Sequence, residues 1–170
     1  MVLSNTYSIV ELTSMVMEWR TILSTMASPS ISLGAPCMKP VVFIIPPHLQ
    51  QRGRLIPSHH PIVTATLAAV SKRAGVRTFV IDMGVTNRSV EQVRKDLMRL
   101  SPRWVGVVPF EYRREMPITP SVDMIRMWKR SLPDVQFGLF NCPLHSTECA
   151  DAVQNGLLDF VVYGDLSLIH

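Results

Sequence analysis

Paired cysteines are missing from this sequence. It has three, Cys37, Cys142 and Cys149, and their spacing does not repeat. An odd set of this kind argues against a disulfide framework and fits a reducing, cytoplasmic setting. The three do not have the spacing of a zinc or iron–sulfur site. Charge is scarce as well, at 18% of residues against 47% apolar. That balance excludes a disordered chain and points to apolar surface covered by another domain or chain. The formal net charge of +4 is carried mostly by arginines such as Arg52, Arg73, Arg94, Arg113 and Arg126, which are scattered along the chain. A nucleic-acid face would need a basic stripe with interleaved aromatics, and there is none. No long apolar run is uninterrupted either. Residues 8–26 come closest, but Glu11, Glu18 and Arg20 break the run and no charged segment precedes it. Neither a membrane span nor a signal segment is expected there.

Several fingerprints of known chemistry are also lacking. No G-x-G-x-x-G follows an apolar run, which removes the dinucleotide signature, and no G-x-x-x-x-G-K-[ST] phosphate loop occurs. The G-x-S-x-G nucleophile elbow is absent. An acidic cluster of the receiver-domain kind and a Ser/Thr/Gly-rich flavin loop are both missing after the first apolar run, where Pro46, Pro47 and His48 stand.

What is present is a repeated unit of short apolar strand, abrupt loop and helix. Val41-Val42-Phe43-Ile44-Ile45 is apolar throughout, as a strand buried on both faces requires, and Pro46-Pro47 stops it. A polar loop is expected over residues 48–60, with His48, His59 and His60. A helix over 61–74 follows, with Ile62, Leu67, Val70, Ala65, Ala68 and Ala69 proposed as its sheet-facing side and Gly75 as its cap. Strands are expected over 77–82, 104–110, 135–140 and 159–163. Helices are expected over 89–101, where Ser89 and Gln92 make a capping box, over 120–131 with Val122, Ile125 and Trp128 inward, and over 146–155. Gly106 inside a strand marks the close approach of another group. Before all this, Ile9, Leu12, Val16, Trp19, Leu23 and Met26 fall three and four apart, the spacing of one helix face. Residues 1–37 thus read as a helical arm and linker, with docking on its own domain or homo-oligomer formation as its roles. Residues 38–170 read as one α/β domain. Five such units predict a three-layer, doubly wound parallel sheet of flavodoxin-like order 2-1-3-4-5, with the first strand at the reversal point, where ligands bind.

The order of motifs resembles the cobalamin (B12)-binding-like domain at the N-terminus of many radical S-adenosylmethionine enzymes. The matching stretches are Ile44-Ile45-Pro46-Pro47, Thr66-Leu67-Ala68-Ala69, Gly75-Val76, and Val80-Ile81-Asp82. Pro102-Arg103-Trp104-Val105-Gly106-Val107 follows, then Asn141-Cys142-Pro143-Leu144-His145-Ser146-Thr147, where the family has Gly-Gly-Pro-His-x-Thr. Asp159-Phe160-Val161-Val162-Tyr163-Gly164-Asp165 stands for Asp-x-Val-Val-x-Gly-Glu. The likeness covers about residues 40–165. It implies a corrinoid, or a docking role toward a radical S-adenosylmethionine domain in cis or in trans. The contacts it implies are Pro47, His48, Glu111, Tyr112, Asn141, Cys142, Pro143, His145, Gly164 and Asp165. The D-x-H-x-x-G motif is absent, so no protein histidine on cobalt is implied. The radical domain's C-x-x-x-C-x-x-C is absent too, and no catalytic residue or metal ligand is assigned to this chain. Two alternatives stand beside this reading: a structural or oligomerisation module with a degenerate ligand site, and a thiol–imidazole pair of Cys142 and His145.

Overall fold

The computed structural model describes residues 39–47, 49–51, 54–56, 61–109, 118–142 and 146–163, with backbone alone for 49–51 and 54–56. The N-terminal arm, residues 1–37, lies outside the described residues.

Five strands form one parallel sheet: β1 (Val41–Ile45), β4 (Thr78–Asp82), β5 (Trp104–Val107), β6 (Gln136–Cys142) and β7 (Phe160–Tyr163). They lie in the order β4-β1-β5-β6-β7, which is 2-1-3-4-5 in chain order, as in flavodoxin-like α/β folds. All five residues of β1 are buried, so a run with no polar alternation is what this position requires. Phe43 registers with Val80 on one side and with Gly106 on the other.

Among the described residues, four helices make the connections: α1 (Ile62–Arg73), α2 (Val90–Leu100), α3 (Thr119–Lys129) and α4 (Thr147–Gln154). Alternation along the strands divides the core in two. Val42, Ile44, Val105, Val107, Phe137 and Leu139 face α2, α3 and α4, which contribute Leu97, Ile125, Trp128 and Cys149. Val41, Phe43, Val108 and Phe140 face the opposite way, toward Val63, Leu67 and Ala68 of α1.

Local chemistry sets the helix ends. The Gln92 backbone N–H donates to Ser89 Oγ at 3.3 Å, and the Ser89 N–H donates to Gln92 Oε1 at 2.8 Å. The capping box therefore closes in both directions. After α1, Gly75 takes φ +78°, a left-handed conformation that a β-carbon disfavours. Tertiary ties hold the helix layer. Trp128 Nε1 donates to the Val90 carbonyl at 3.0 Å, and Lys129 Nζ reaches the Gly156 carbonyl and Asp159, each at 3.0 Å.

Two expectations are corrected. Within residues 48–60 the backbone forms a small antiparallel hairpin of β2 (Leu49–Gln51) and β3 (Arg54–Ile56), not only loop. Three-residue strands are too short to show alternation, although Arg52-Gly53 between them has the two-residue spacing of a hairpin connection. In α1 the sheet-facing side is Val63, Thr64, Leu67, Ala68 and Ser71, while Ile62 and Val70 point outward. Apolar and small residues occur nearly all round this helix, so their spacing alone does not choose a face. Among the described residues, no helix is long and apolar enough to cross a membrane.

Candidate functional site

Because every strand of the sheet runs the same way, all five C-terminal ends lie along one edge. At β1 the order reverses, with β4 on one side and β5 on the other, and in open parallel sheets such a switch point is where ligands bind. Pro46 and Pro47 leave β1 half-buried at this edge. The backbone beside them is tied in: Met83 N–H donates to the Ile45 carbonyl and Val108 N–H to the Ile44 carbonyl, at 3.0 and 2.9 Å. Asp82, at the end of β4, accepts from the Val85 N–H at 2.9 Å and shapes its own turn.

The end of β6 is the most unusual part of the edge. Its register with β7 slips between Leu139 and Cys142, a bulge. Asn141, inside the bulge and half-buried, has φ +59°. Asparagine is among the few non-glycine residues that tolerate this conformation. The slip has a direct consequence. Regular alternation would send Phe140 and Cys142 to the same face, yet Phe140 packs on the α1 side and Cys142 on the other. Bulges re-aim side chains in this way and are frequent beside binding sites.

Cys142 is thus buried, and so is Cys149 in the first turn of α4. The two thiols are hydrogen-bond partners. Ser146 caps α4 by accepting from the Cys149 N–H at 3.3 Å. Cys142 is pushed far up by its bond to Cys149 and by burial, so it stays protonated and donates. Cys149 is lowered to about 7 by the bond from Cys142, with help from Ser146 and against burial and the charge of Glu148. Tyr163, paired across from Cys142, is raised by burial and by the nearby thiols. Thr119 Oγ1 donates to Glu148 Oε1 at 2.6 Å, joining the starts of α3 and α4.

Three of the ten residues singled out in the sequence, Pro47, Asn141 and Cys142, fall among those described. Pro47 and Asn141 stand at the same edge, on strands separated by β5 and hence about 10 Å apart at the usual strand spacing. Cys142 is turned into the core beneath the edge. His48, Glu111, Tyr112, Pro143, His145, Gly164 and Asp165 lie outside the described residues, as do His59 and His60. Sequence reasoning overlooked Cys149 as the partner of Cys142. The available signal was its position three residues after the helix-capping Ser146, in the turn that follows the strand ended by Cys142.

An open groove of about 640 Å³ also runs between α3 and α4, lined by Asp123, Arg126, Lys129, Glu148 and Asp151 among others. Arg126 pairs with Asp123, and Lys129 pairs with Asp159. Half of its six charged lining residues are therefore already in ion pairs, and it belongs to the helix layer rather than to the edge at the strand ends. Among the described residues, no group of three or more His, Cys, Asp or Glu is placed to hold a metal ion. Neither a scan against protein-family models nor a search of curated proteins gives a match to this chain.

Proposed function

We propose that the chain is a cobalamin-binding-like domain of the radical S-adenosylmethionine type, with its ligand edge at the C-terminal ends of β1, β5 and β6. It would hold a corrinoid there or serve as the docking domain for a radical domain in cis or in trans. The observation that carries this reading is the backbone of Asn141. The resemblance places the first of two glycines at this position, and Asn141 adopts φ +59°, a conformation natural to glycine. Cys142, at the second glycine position, is buried away from the edge, so its side chain need not obstruct a flat ring. On both counts the residues present fit the group. Pro47 and Asn141 are the described residues that would contact it, and a bound corrinoid would supply methyl-transfer or electron chemistry. The protein's part is to position that group and to keep water from it.

The test is to mix purified protein with hydroxocobalamin and methylcobalamin under anaerobic, reducing conditions, desalt, and record the visible spectrum. Corrinoid absorbance that stays with the protein is expected, and its complete loss overturns the cofactor-binding form of the proposal. A second reading, an interaction module, is favoured by one observation. Ile62 and Val70 on the outer side of α1 and Val80 on the edge strand β4 are 48%, 38% and 46% exposed. Light scattering separates the two: a two-chain mass that falls to one chain in Ile62→Glu/Val70→Glu supports the module. A one-chain mass for the parent protein removes it.

A further inference from the structure

The proposed ligand edge leaves the Cys142–Cys149 pair beneath it unused. Cys142 closes β6 and Cys149 stands in the first turn of α4, with residues 143–148 between them. Both are buried in the same core cluster, at 1% and 0% exposure. The bulge in β6 is what brings them together. Without its slip, Cys142 would follow Phe140 to the α1 side of the sheet. The two thiols are hydrogen-bond partners. A disulfide asks for two sulfurs aimed at each other and near bonding distance, and a thiol–thiol hydrogen bond already sets that direction.

The two sulfurs are unequal. Cys149 lies in the N-terminal turn of α4, where the helix dipole favours a thiolate, and its own N–H is held by the capping Ser146. The bond from Cys142 lowers Cys149 to about 7. Cys142 is raised first by that same bond and then by burial, and remains the protonated partner. The pair thus has one sulfur ready to attack and a second beside it to resolve the product, the arrangement of redox-responsive cysteines. A small peroxide, reaching the pair during local opening of the helix start, is the oxidant that this burial admits.

We propose that Cys142 and Cys149 are a reversible redox pair that closes into an intrachain disulfide when a peroxide reaches it. The inference is independent of corrinoid binding. The Cys149 thiolate attacks one oxygen of hydrogen peroxide, the O–O bond breaks, and the leaving hydroxide takes up the proton that Cys149 has shed and becomes water. Cys149 is then a sulfenic acid. Its oxidation removes the bond that held the Cys142 proton most firmly. The Cys142 sulfur attacks the sulfenic sulfur, the S–O bond breaks, and a second water leaves with the Cys142 proton. Two thiols and one peroxide become one disulfide and two waters, with two electrons passing from sulfur to oxygen. A dithiol reverses the bond by exchange. The disulfide ties the end of β6, next to Asn141, to the start of α4. In a reducing compartment a bond of this kind is transient and reports oxidation, which fits a chain without a disulfide framework.

The full chain, reduced, desalted and treated with excess hydrogen peroxide, tests this. Catalase removes the peroxide before the protein is denatured in N-ethylmaleimide and cut with trypsin. No Lys or Arg follows Arg130, so both cysteines leave in one peptide, residues 131–170. That peptide should be lighter by two hydrogens and carry no maleimide, and dithiothreitol should restore both alkylation sites. In Cys142→Ser the bond cannot form, and Cys149 should carry added oxygen instead. In Cys149→Ser, Cys142 should lose its alkylation site at least about tenfold more slowly than in the parent, for want of a thiolate. Two alkylation sites retained in the parent chain overturn the proposal. So do added oxygens in place of the bond, or a peptide joined to Cys37 or to a second chain. Equal loss of the Cys142 site in the parent and in Cys149→Ser overturns it as well. Should either variant unfold, the mass of the parent peptide decides alone.

Discussion

At Gly138 a β-carbon would stand 2.0 Å from the Phe160 ring, so the two residues are one packing unit. Gly138→Ala should cost about 1–3 kcal/mol in urea unfolding, the usual range for overpacking. In a Phe160→Ala background the added methyl has room, and most of that cost should vanish. An equal cost in both backgrounds would show that the ring is not the obstacle. Asn141 is a backbone problem rather than a packing one. Asn141→Val should lose about 1–2 kcal/mol because a β-branched residue resists positive φ, whereas Asn141→Gly should be nearly neutral. Equal stability of the two variants would remove the argument from φ. The thiol pair makes stability depend on pH. Cys149 is held at about 7 in the folded chain, below the ordinary thiol value of about 8.5. Between those values the unfolded chain binds the extra proton, so stability should rise with pH. Cys142, raised by its bond to Cys149 and by burial, works the other way. Above about 8.5 the unfolded chain loses that proton first and stability should fall. Urea midpoints from pH 6.5 to 10 should therefore peak near pH 8.5, and Cys149→Ser should remove the rising limb. The sequence displays both cysteines, but their pairing depends on a strand end and a helix start meeting in space.

Elements follow from local signals where those signals are strong. The Ser89/Gln92 capping box places the start of α2 because both hydrogen bonds are made within four residues. Ser89→Ala should cost about 1 kcal/mol in urea unfolding, and an unchanged midpoint would mean that tertiary packing alone sets this helix end. The inward side of α3 was legible for the same kind of reason. Val122, Ile125 and Trp128 recur at three-residue spacing in a helix otherwise mixed with charge, and all three are buried. In α1 the same reasoning placed Leu67 and Ala68 correctly but turned Ile62 and Val70 inward, where they are exposed. With Ile62, Val63, Leu67, Val70 and five alanines or threonines between them, more than one stripe is apolar. Which stripe goes in is set by where β1 ends and where β4 must begin. The β2–β3 hairpin escaped notice because three residues per strand carry too little pattern.

For the molecule as a whole, the sheet order has a consequence for dynamics. β1 has a hydrogen-bonded neighbour on each side and all five of its residues are buried, whereas β4 and β7 are edge strands with partly exposed residues. Amide exchange should therefore be slowest in β1 and β5 and fastest in β4 and β7. A reversed ranking would mean that the sheet opens from its middle. The candidate ligand edge inherits this gradient. Pro47 hangs from the most buried strand and Asn141 from the bulged end of β6, so the Pro47 side of the edge is the more rigid.

Apart from the short β2–β3 hairpin, the sequence by itself determined which of the described segments become strands and helices and the order in which they come. Those choices rest on neighbours within a few residues: a five-residue apolar run ended by Pro46-Pro47, a serine three before a glutamine, a glycine at a helix end. The parallel 2-1-3-4-5 order was legible too, because alternating strands and helices with short loops leave few ways to cover both faces of a sheet. Only the tertiary structure decided which side of α1 is buried, that β6 ends in a bulge, that Cys142 meets Cys149, and that two glycines lie under aromatic rings. Each depends on residues brought together across strands, such as Gly138 and Phe160, and no local pattern records what will lie opposite.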